Sequence, residues 1–385
     1  MIEWLAFGAA GLAGAGLLQA VAGWAAVWRF AQSGRAAAKP ASPLPPVTVL
    51  KPLHGDEPLL EEALASFCAQ DYPAFQIVFG LQDPADPARA VLDRLRARFP
   101  DLDMAVVVDP TLHGSNRKVG NLLNMYAAAR HDTLVVSDSD IHVAPGYLRS
   151  VVETLARPGA GLVTSLYAGL PARAGLAGQL GATQINHAFL PGALMARLLG
   201  RQDCLGATMA LTRETLDSIG GFATLANNVA DDAVLGQLVR ASGRNVVLAP
   251  TVPATTVPEA GLTSLFSHEL RWARTIRSQE PLGFALSVVQ FPLFWAVLAL
   301  LLSGGAAWGW EVLAASWAVR GAAAAGIDAT LRLRATAPFW SLLLRDVLSV
   351  AIIVASFRSK RVAWRGHVHV VSRPLRRPQQ GLISS

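Results

Sequence analysis

The sequence predicts an α/β domain with a mostly parallel β-sheet, placed between apolar segments at both ends of the chain. From residue 47 to residue 143, short β-branched runs alternate with stretches of helical periodicity, which is typical of a parallel sheet covered by helices on both faces. Hydrophobic residues make up 52% of the 385 residues and are concentrated at the two ends. We expect five parts: a transmembrane helix at 1–30, a linker at 31–46, the α/β domain at 47–280, membrane helices at 281–357 and a basic tail at 358–385.

The first apolar segment, residues 2–28, is rich in Ala, Gly and Leu and is long enough to cross a bilayer. Glu3 lies at its start, and Arg29, Arg35 and Lys39 follow it. A cleaved signal peptide would instead carry a basic residue ahead of a shorter apolar core. By the positive-inside rule, the chain after this segment is expected in the cytoplasm.

The α/β domain begins with strand–helix units, because Pro, Gly or Asp stops each apolar strand and helical spacing follows. We predict strands at 47–50, 75–81, 104–108 and 133–143, and helices at 59–68, 88–99 and 122–129. Asp56, Asp83 and Asp138 lie at or just beyond three of the strand ends. We expect these carboxylates on one rim of the sheet, where open α/β sheets bind ligands.

The fourth strand ends in Asp138-Ser139-Asp140, which allows two interpretations. Asp often enters turns, so the pair could simply cap the turn after the strand. Two carboxylates in this position also suit a hard divalent cation such as Mg²⁺ or Mn²⁺, which prefers carboxylate oxygens and is commonly shared with substrate phosphates.

The second half of the domain has weaker periodicity. Residues 162–167 and 205–211 are expected to be strands, and residues 176–199 to be mostly helical with an interruption at Pro191-Gly192. We name Gly206, Thr208 and His187 as candidate lining residues of a ligand pocket.

Two polar groups in this half stand next to apolar helices. Asp231 and Asp232 precede a predicted helix at 233–239, where an acidic pair serves as a helix cap or as a functional group. His268, Arg271 and Trp272 lie on a predicted amphipathic helix. That helix could lie on lipid headgroups or present these side chains to a site.

Three apolar segments follow, at residues 284–303, 306–330 and 339–357. Three crossings would leave the basic tail outside the cytoplasm, against the positive-inside rule. Because charged residues are spread along 306–330, we expect that segment to be interfacial or re-entrant. Arg345 and Asp346 are neighbours in the third segment, and we expect them to form an ion pair with each other or to line an acceptor entrance.

The net charge of +6 does not indicate a nucleic-acid partner, because the middle domain has no basic stripe with interleaved aromatic residues. The basic residues are densest from Arg358 to Arg377, next to apolar segments, which suits an anionic membrane surface. Cys68 and Cys204 are far apart and are expected to be free thiols. His367 and His369 alternate as polar positions of a strand do.

Several short motifs occur in a characteristic order along nearly the whole chain. They are Val49-Leu50-Lys51-Pro52-Leu53-His54-Gly55, Gln82-Asp83-Pro84, Asn116 to Asn121, Ser137-Asp138-Ser139-Asp140, Ala230-Asp231-Asp232, His268-Glu269-Leu270-Arg271-Trp272 and Trp364-Arg365-Gly366. With these motifs the chain resembles the ceramide glucosyltransferase family (glycosyltransferase family 21). It is most similar to the bacterial branch, the hopanoid biosynthesis-associated glycosyltransferases.

The resemblance implies a GT-A nucleotide-sugar (Rossmann-like) fold on the cytoplasmic face of a membrane. It places Asp83 near the nucleotide base and makes Asp138 and Asp140 the DxD pair that bridges Mg²⁺ or Mn²⁺ to a diphosphate. Two further members of the matching stretches, Lys51 and Lys118, are expected to bind the nucleotide-sugar. Asn121 is expected to do the same.

The resemblance also assigns the acceptor side of the reaction. Asp232 stands at the position of the catalytic base, with Asp231 beside it. Arg271 and Trp272 belong to the (Q/R)xxRW element, which closes the site over donor and acceptor. His268 stands at the first position of that element, where the family has Gln or Arg.

One base without a nucleophilic partner predicts a single displacement and therefore an inverting transfer. The expected donor is UDP-glucose or UDP-N-acetylglucosamine, and the expected acceptor is a hydroxyl of a membrane lipid, a hopanoid polyol or ceramide. The expected location is a bacterial inner membrane with the catalytic domain in the cytoplasm. Two alternatives stay open: a processive polysaccharide synthase, which shares a DxD and an RxRW-like element, and a non-catalytic membrane scaffold.

Overall fold

A computed structural model describes residues 1–36, 44–333, 338–359, 361–364 and 367–370. Residues 37–43 of the predicted linker, and residues 360, 365, 366 and 371–385 of the predicted tail, lie outside the described residues. The first half of the chain contains α1 (Ile2–Ala36), β1 (Val47–Pro52), α2 (Leu60–Cys68), β2 (Phe75–Leu81), α3 (Ala88–Arg98), β3 (Asp103–Val108), α4 (Arg117–Tyr126), β4 (Thr133–Val136) and β5 (Ile141–His142).

The second half of the α/β domain contains α5 (Tyr147–Leu155), β6 (Ala160–Thr164), β7 (Ala168–Pro171), α6 (Leu176–Gln184), a π-helical turn (Ile185–Phe189), α7 (Leu190–Leu198), β8 (Met209–Thr212), α8 (Arg213–Ser218), a 3₁₀ turn (Phe222–Leu225), α9 (Asp231–Ala241), β9 (Asn245–Leu248) and β10 (Ala254–Val257). The C-terminal part contains α10 (Leu262–Gln279), α11 (Pro281–Leu286), a 3₁₀ turn (Ser287–Gln290), α12 (Pro292–Leu302), α13 (Ala307–Leu331), α14 (Ser341–Ser356), β11 (Arg361–Trp364) and β12 (His367–Val370).

The main sheet has seven strands in the order β3-β2-β1-β4-β8-β6-β9. β8 runs antiparallel to both of its neighbours, and the other pairs are parallel, which confirms the predicted mostly parallel sheet. The carboxyl ends of β1, β2 and β4 therefore meet at one rim. A second sheet, β5-β10-β7, begins directly after Asp140.

Both faces of the main sheet are buried, as its apolar strands require. Alternate residues of one strand enter different cores: Val47 and Val49 of β1 face the side covered by α2, α3 and α5, whereas Leu50 faces the side covered by α4 and α9. The period of two in side-chain direction accounts for this division. The two cores fix the strand ends that carry the polar groups.

Two helical predictions differ from the structure. α4 begins at Arg117 rather than at residue 122, because Asn116 is its N-cap and accepts a hydrogen bond from the Val119 N–H at 3.1 Å. The predicted interruption at Pro191-Gly192 is wrong. Pro191 lies in the first turn of α7, directly after the π-helical turn, where a residue without an N–H is tolerated.

The C-terminal helices pack with α1, which contacts α12 and α13. Within the described ranges, α1 is the one helix that by itself is long and apolar enough to cross a membrane, over Ile2–Ser33. The helices Pro281–Gln290 and Pro292–Leu302 meet at a bend of 67° and together could form a second span.

The expected interfacial or re-entrant placement of residues 306–330 stays a prediction, and the structure adds a bend at another place. The bend falls within residues 284–303, where Pro292 starts a new helix after Phe291, whereas most of 306–330 belongs to the continuous 25-residue helix α13. β11 and β12 form an antiparallel pair, which confirms that His367 and His369 lie in a strand.

Candidate active site

The predicted DxD pair follows β4, and a buried lysine of β1, Lys51, is hydrogen-bonded to its backbone. Lys51 Nζ donates to the Asp138 carbonyl oxygen at 2.6 Å and to Ser137 Oγ at 3.2 Å, and it lies 3.5 Å from the centre of the Phe67 ring. Burial lowers the pKa of Lys51 to about 7, while the charges of Asp140 and Asp138 oppose that shift. Lys51 thus fixes the backbone of the pair and is fully buried.

Asp140, the second member of the pair, is held by the small sheet. Its Oδ2 accepts a hydrogen bond from Thr255 Oγ1 of β10 at 2.6 Å, and its carbonyl oxygen accepts one from the Thr256 N–H at 3.0 Å. Burial raises the pKa of Asp140 to about 6, and the nearby Asp138 charge raises it as well. The environment of Asp140 therefore favours its protonated form more than water does.

Lys118, in the first turn of α4, joins the DxD pair to the acidic pair of α9. Its Nζ lies 2.6 Å from Asp138 Oδ1 and 3.5 Å from Asp231 Oδ2. Burial lowers the pKa of Lys118, but the charges of Asp138 and Asp231 raise it by more than burial lowers it. The net shift is upward, and the ammonium group is charged. Asn116 Nδ2 also lies 3.4 Å from Asp231 Oδ1.

Asp232, the predicted base, meets these groups at Gly206. A Cβ atom placed on Gly206 would lie 3.3 Å from Asp232 Oδ2, 3.5 Å from Asp138 Oδ2 and 3.7 Å from Lys118 Nζ. Three chain segments that are distant in sequence thus bring a carboxylate, a DxD member and an ammonium group around one point. The glycine leaves open the space between them.

The environment of Asp232 favours its protonated form more than water does. Burial raises the pKa of Asp232 to about 6, and the charge of Asp231 adds to the shift, whereas Lys118 opposes it. Asp231, by contrast, is contacted by Lys118 and Asn116. A carboxyl group whose pKa is near neutrality is suited to accept a proton in a reaction.

The predicted covering element lies on α10. The His268 ring lies edge-on to the Trp272 ring, with 4.5 Å between centroids, and its Nδ1 is hydrogen-bonded to Glu259. Burial raises the pKa of Glu259, but the His268 hydrogen bond and the nearby His268 and Arg271 charges lower it below its usual value. Trp272 packs against an apolar cluster that contains Ile185, the first residue of the π-helical turn, and Val257, the last residue of β10.

The other predicted rim residues occupy different depths. Asp83 is exposed and accepts a hydrogen bond from the Ala85 N–H at 2.8 Å. Asp56 is exposed and lines a neighbouring cavity of about 280 Å³ together with Glu57. Asn121 is buried, and its Nδ2 donates to the Gly80 carbonyl oxygen at 2.8 Å, so it joins the β2 end to α4 from inside the fold.

Of the three candidate pocket residues, the structure brings only Gly206 to the polar groups. Thr208 lies in an interior network, 2.7 Å from both the Tyr147 hydroxyl and Ser165 Oγ. His187 lies in the π-helical turn, and its Nε2 is 2.7 Å from Asp328 Oδ1 of α13. Both residues were expected to line a ligand pocket, but their side chains contact other residues of the protein interior instead.

The predicted ion pair between Arg345 and Asp346 is also wrong. Neighbours on a helix differ by about 100° in direction, so the two side chains reach different partners. Arg345 contacts Glu269 of α10 at 2.8 Å, whereas Asp346 lies 3.8 Å from Arg320 Nε and accepts from the Leu293 N–H at 3.1 Å.

Sequence inspection missed three residues that position the site. Glu57 accepts a hydrogen bond from Ser139 Oγ, Thr255 donates to Asp140, and Glu259 is hydrogen-bonded to His268. Glu57 lies two residues after the first motif, and Glu259 lies nine residues before His268. Both could therefore have been named as candidate site residues from the sequence. Thr255 is 115 residues from Asp140 and carries no local pattern.

Asp138 and Asp140 fit a divalent cation that shares its ligands with a substrate. Two carboxylates that repel each other in a buried place are stabilised by a cation, and hard cations favour such oxygens. Among the described residues, no group of three or more His, Cys, Asp or Glu side chains could hold a metal ion. A cation there would therefore take its remaining ligands from phosphate oxygens or water.

The seven-stranded sheet, the DxD pair after its fourth strand and the small sheet that holds this pair define a GT-A glycosyltransferase fold. A mannosyltransferase from Pyrobaculum calidifontis, solved in complex with GDP-Man and Mn²⁺, has a similar fold. The likeness covers 93% of this chain and 99% of that one, with a TM-score of 0.52 and 20% sequence identity.

The particular family follows from the sequence comparison. The family model described as Glycosyl transferase family 21 matches residues 14–374, and the chain belongs to this family. A ceramide glucosyltransferase of Komagataella phaffii is 34% identical over 123 residues, 30% of this chain and 24% of that protein. Ceramide glucosyltransferase 1 of Caenorhabditis elegans is 24% identical over 242 residues, 61% of this chain and 51% of that protein. The chain thus spans about half or less of these relatives.

Proposed function

We propose that the chain transfers a single sugar from a UDP-sugar to a hydroxyl group of a membrane lipid, with inversion at the anomeric carbon. The observation that carries this proposal is the meeting of Asp232, Asp138 and Lys118 around Gly206. It brings a proton acceptor, Asp232, and two proposed diphosphate-side groups, Asp138 and Lys118, to within 3.7 Å of one point. A single displacement needs both groups at the same sugar carbon.

On the acceptor side, Asp232 takes the proton of the attacking hydroxyl. A hydroxyl group is a poor nucleophile at neutral pH, and a nearby carboxylate assists it as the new bond forms. The raised pKa of Asp232 makes it a stronger base than an exposed aspartate while leaving it charged at neutral pH. No carboxylate is then needed as a covalent nucleophile, which is why we propose inversion.

On the donor side, Lys118 and the DxD pair bind the diphosphate. Lys118 contacts both acidic pairs and can donate to phosphate oxygens, and Lys51 fixes the Asp138 backbone beneath them. Mg²⁺ or Mn²⁺ on Asp138 and Asp140 would neutralise the negative charge that develops on the leaving diphosphate. Asp83, at the rim, is the proposed contact of the nucleotide base.

α10 covers this site in the proposal. Arg271 and Trp272 are half-buried on a helix whose Trp272 packs next to the small sheet that holds Asp140. We assign Arg271 to the diphosphate and Trp272 to the wall between donor and acceptor. The names of the family relatives, ceramide glucosyltransferases, support a lipid acceptor.

α1 supplies the proposed membrane anchor. Its large apolar side chains face outward rather than into the protein, with Trp4 80% and Leu18 75% exposed. In water such exposure is costly, whereas in a bilayer it is expected. We infer that α1 spans a bacterial inner membrane, that the α/β domain lies in the cytoplasm, and that the acceptor enters from the lipid.

Product analysis tests this function. Membranes containing the chain are supplied with ceramide or a hopanoid polyol and with UDP-glucose or UDP-N-acetylglucosamine, and products are identified by mass spectrometry and NMR. We expect one added sugar in β linkage when the donor is α-linked. A polymer product would indicate a processive synthase, an α linkage would exclude inversion, and no product with any pair would favour a scaffold.

A further inference from the structure

α10 carries the proposed covering residues on one side and a buried carboxylate, Glu269, on another. Glu269 receives two parallel contacts from Arg345 of α14, Nη1 to Oε1 and Nη2 to Oε2, each 2.8 Å long. The side chains are 9% and 1% exposed, respectively. Paired contacts of this kind fix orientation as well as distance, because both planar groups must be aligned.

The remaining donors of Arg345 connect a third helix to the pair. Nη1 also donates to the Leu180 carbonyl oxygen of α6 at 3.2 Å, and Nε donates to Ser349 Oγ at 3.1 Å. Ser349 Oγ in turn lies 3.0 Å from Gln184 Oε1 of α6. Three helices, α6, α10 and α14, therefore meet at one guanidinium group.

Glu269 lies on α10 close to the covering residues Arg271 and Trp272, so a contact that holds Glu269 in place also affects where these two side chains point. It is adjacent to His268 and three residues before Trp272, so Glu269 and Trp272 are neighbours on the helix surface. His268 is fixed by Glu259, and Trp272 by its contacts with Ile185 and Val257. A rotation of α10 about its axis would break the paired contacts and displace Arg271 and Trp272 together.

Stability alone does not account for this ion pair. Burying two charges removes them from water, and well-packed apolar residues of the same size are often as stabilising or more so. What an apolar pair lacks is direction. The structure thus contains a directional contact between the covering helix α10 and the C-terminal helix α14.

We propose that the Glu269–Arg345 ion pair is a positioning device that sets the rotation of α10 and thereby the placement of Arg271 and Trp272 over the donor site. This inference rests on the proposed function. It makes α14 part of what aligns the site, and not only of what anchors the chain. Glu269 and Arg345 are positioning residues, since they act through α10.

The test compares four variants of the full chain in detergent or lipid: Arg345→Lys, Glu269→Gln, the double variant Glu269→Met with Arg345→Met, and Arg320→Met as control. Arg320 of α13 belongs to a second buried ion pair, in which its Nε lies 3.8 Å from Asp346 Oδ1, and this pair joins α13 to α14 rather than to α10. Thermal unfolding, kcat, and KM for UDP-sugar and lipid are measured for each.

We expect Arg345→Lys, which keeps the charge but loses the paired geometry, to lower kcat at least about tenfold with little change in the KM for UDP-sugar, since small displacements in a site are costly. The double methionine variant should regain thermal stability relative to Glu269→Gln without regaining kcat. Arg320→Met should lower thermal stability while kcat of the folded fraction stays near wild type.

A double methionine variant with wild-type kcat would overturn the proposal, because packing would then suffice. Equal loss of kcat in Arg320→Met and Arg345→Lys would also overturn it, because the effect would then be one of general destabilisation. The proposed function itself fails in a different way: the wild-type chain would show no transfer with any donor and lipid, whatever the variants do.

Discussion

Alanine at position 206 should block sugar transfer without unfolding the protein. The Cβ atom would lie 3.3 Å from Asp232 Oδ2, 3.5 Å from Asp138 Oδ2 and 3.7 Å from Lys118 Nζ, which are tolerable or slightly tight contacts. Gly206 is not among the described glycines with positive φ, so its backbone accommodates alanine. The unfolded state loses some freedom, which favours folding by about 0.4–1 kcal/mol and offsets the mild crowding.

The same methyl group occupies the space between the proposed base and the diphosphate side. The acceptor oxygen must lie within hydrogen-bonding distance of the base and about 3–3.5 Å from the reacting carbon, and displacement by about 1 Å can cost on the order of 100-fold in rate. We therefore expect Gly206→Ala to lower kcat by about 10- to 100-fold while the melting temperature changes by only a few degrees.

The assay is transfer from radiolabelled UDP-sugar to lipid, with thermal unfolding measured on the same preparations. Gly192→Ala is the matched control, because a Cβ at Gly192 of α7 has no neighbouring atom within 4 Å. Wild-type kcat in Gly206→Ala would refute the reasoning, since the space beside Gly206 could not then be where the sugar reacts.

Three further predictions concern the charges of the site. Because burial raises the pKa of Asp232 to about 6 and the base acts in its charged form, kcat should fall about tenfold per pH unit below that value; a pH–rate profile that stays level down to pH 4 would contradict the assignment. Asp140→Ala should weaken UDP-sugar binding in the presence of Mn²⁺ and abolish the dependence of binding on Mn²⁺, as measured by calorimetry; unchanged metal-dependent binding would exclude Asp140 as a ligand. Lys118→Met should raise the Kd for UDP at least about tenfold, given that a charge-assisted contact contributes about 1.5–3 kcal/mol, and an unchanged Kd would remove Lys118 from the diphosphate site.

The first four strands of the main sheet were predictable because each is a short continuous apolar run with a clear stop, whereas β9 (Asn245–Leu248) was not predicted. The bounds of β2, Phe75–Leu81, agree with the predicted strand, and β1 is only two residues longer than predicted. The start of β8 was harder to predict, because the sequence from Leu205 to Thr208 resembles the first part of a strand. These residues form the turn that brings Gly206 to the carboxylates.

The helix errors share a cause, namely local rules that the surroundings override. Asn116 could be recognised as a cap only once the start of α4 was known, because Arg117 and Lys118 are not apolar. Pro191 was expected to interrupt a helix, but the preceding π-helical turn lets the chain continue into α7.

The residues of the candidate site that lie in short motifs were predictable from the sequence. The partners that hold these residues in place were not. The acids and Lys118 stand in short motifs, whereas Thr255, Glu269 and Arg345 act through partners 76 or more residues away. Sequence neighbours suggested that Arg345 pairs with Asp346, but helix geometry directs them apart. Such pairings need the tertiary fold before they can be identified.

Whether Asp232 accepts the proton of the lipid hydroxyl can be tested with Asp232→Asn. Asparagine has nearly the same size, and because burial raises the pKa of Asp232 to about 6, the charge that Asp232 carries at neutral pH destabilises the fold. The variant should therefore be folded and at least as stable as the wild-type chain. Asp231→Asn is the matched comparison, because its carboxylate contacts Lys118 and Asn116 instead.

The decisive measurement is the single-turnover rate of transfer in Asp232→Asn, with UDP-sugar affinity determined on the same sample. We expect a rate about 10²- to 10⁴-fold below wild type, a UDP-sugar Kd close to wild type, and a smaller rate loss in Asp231→Asn. A wild-type transfer rate in Asp232→Asn would contradict this role of Asp232.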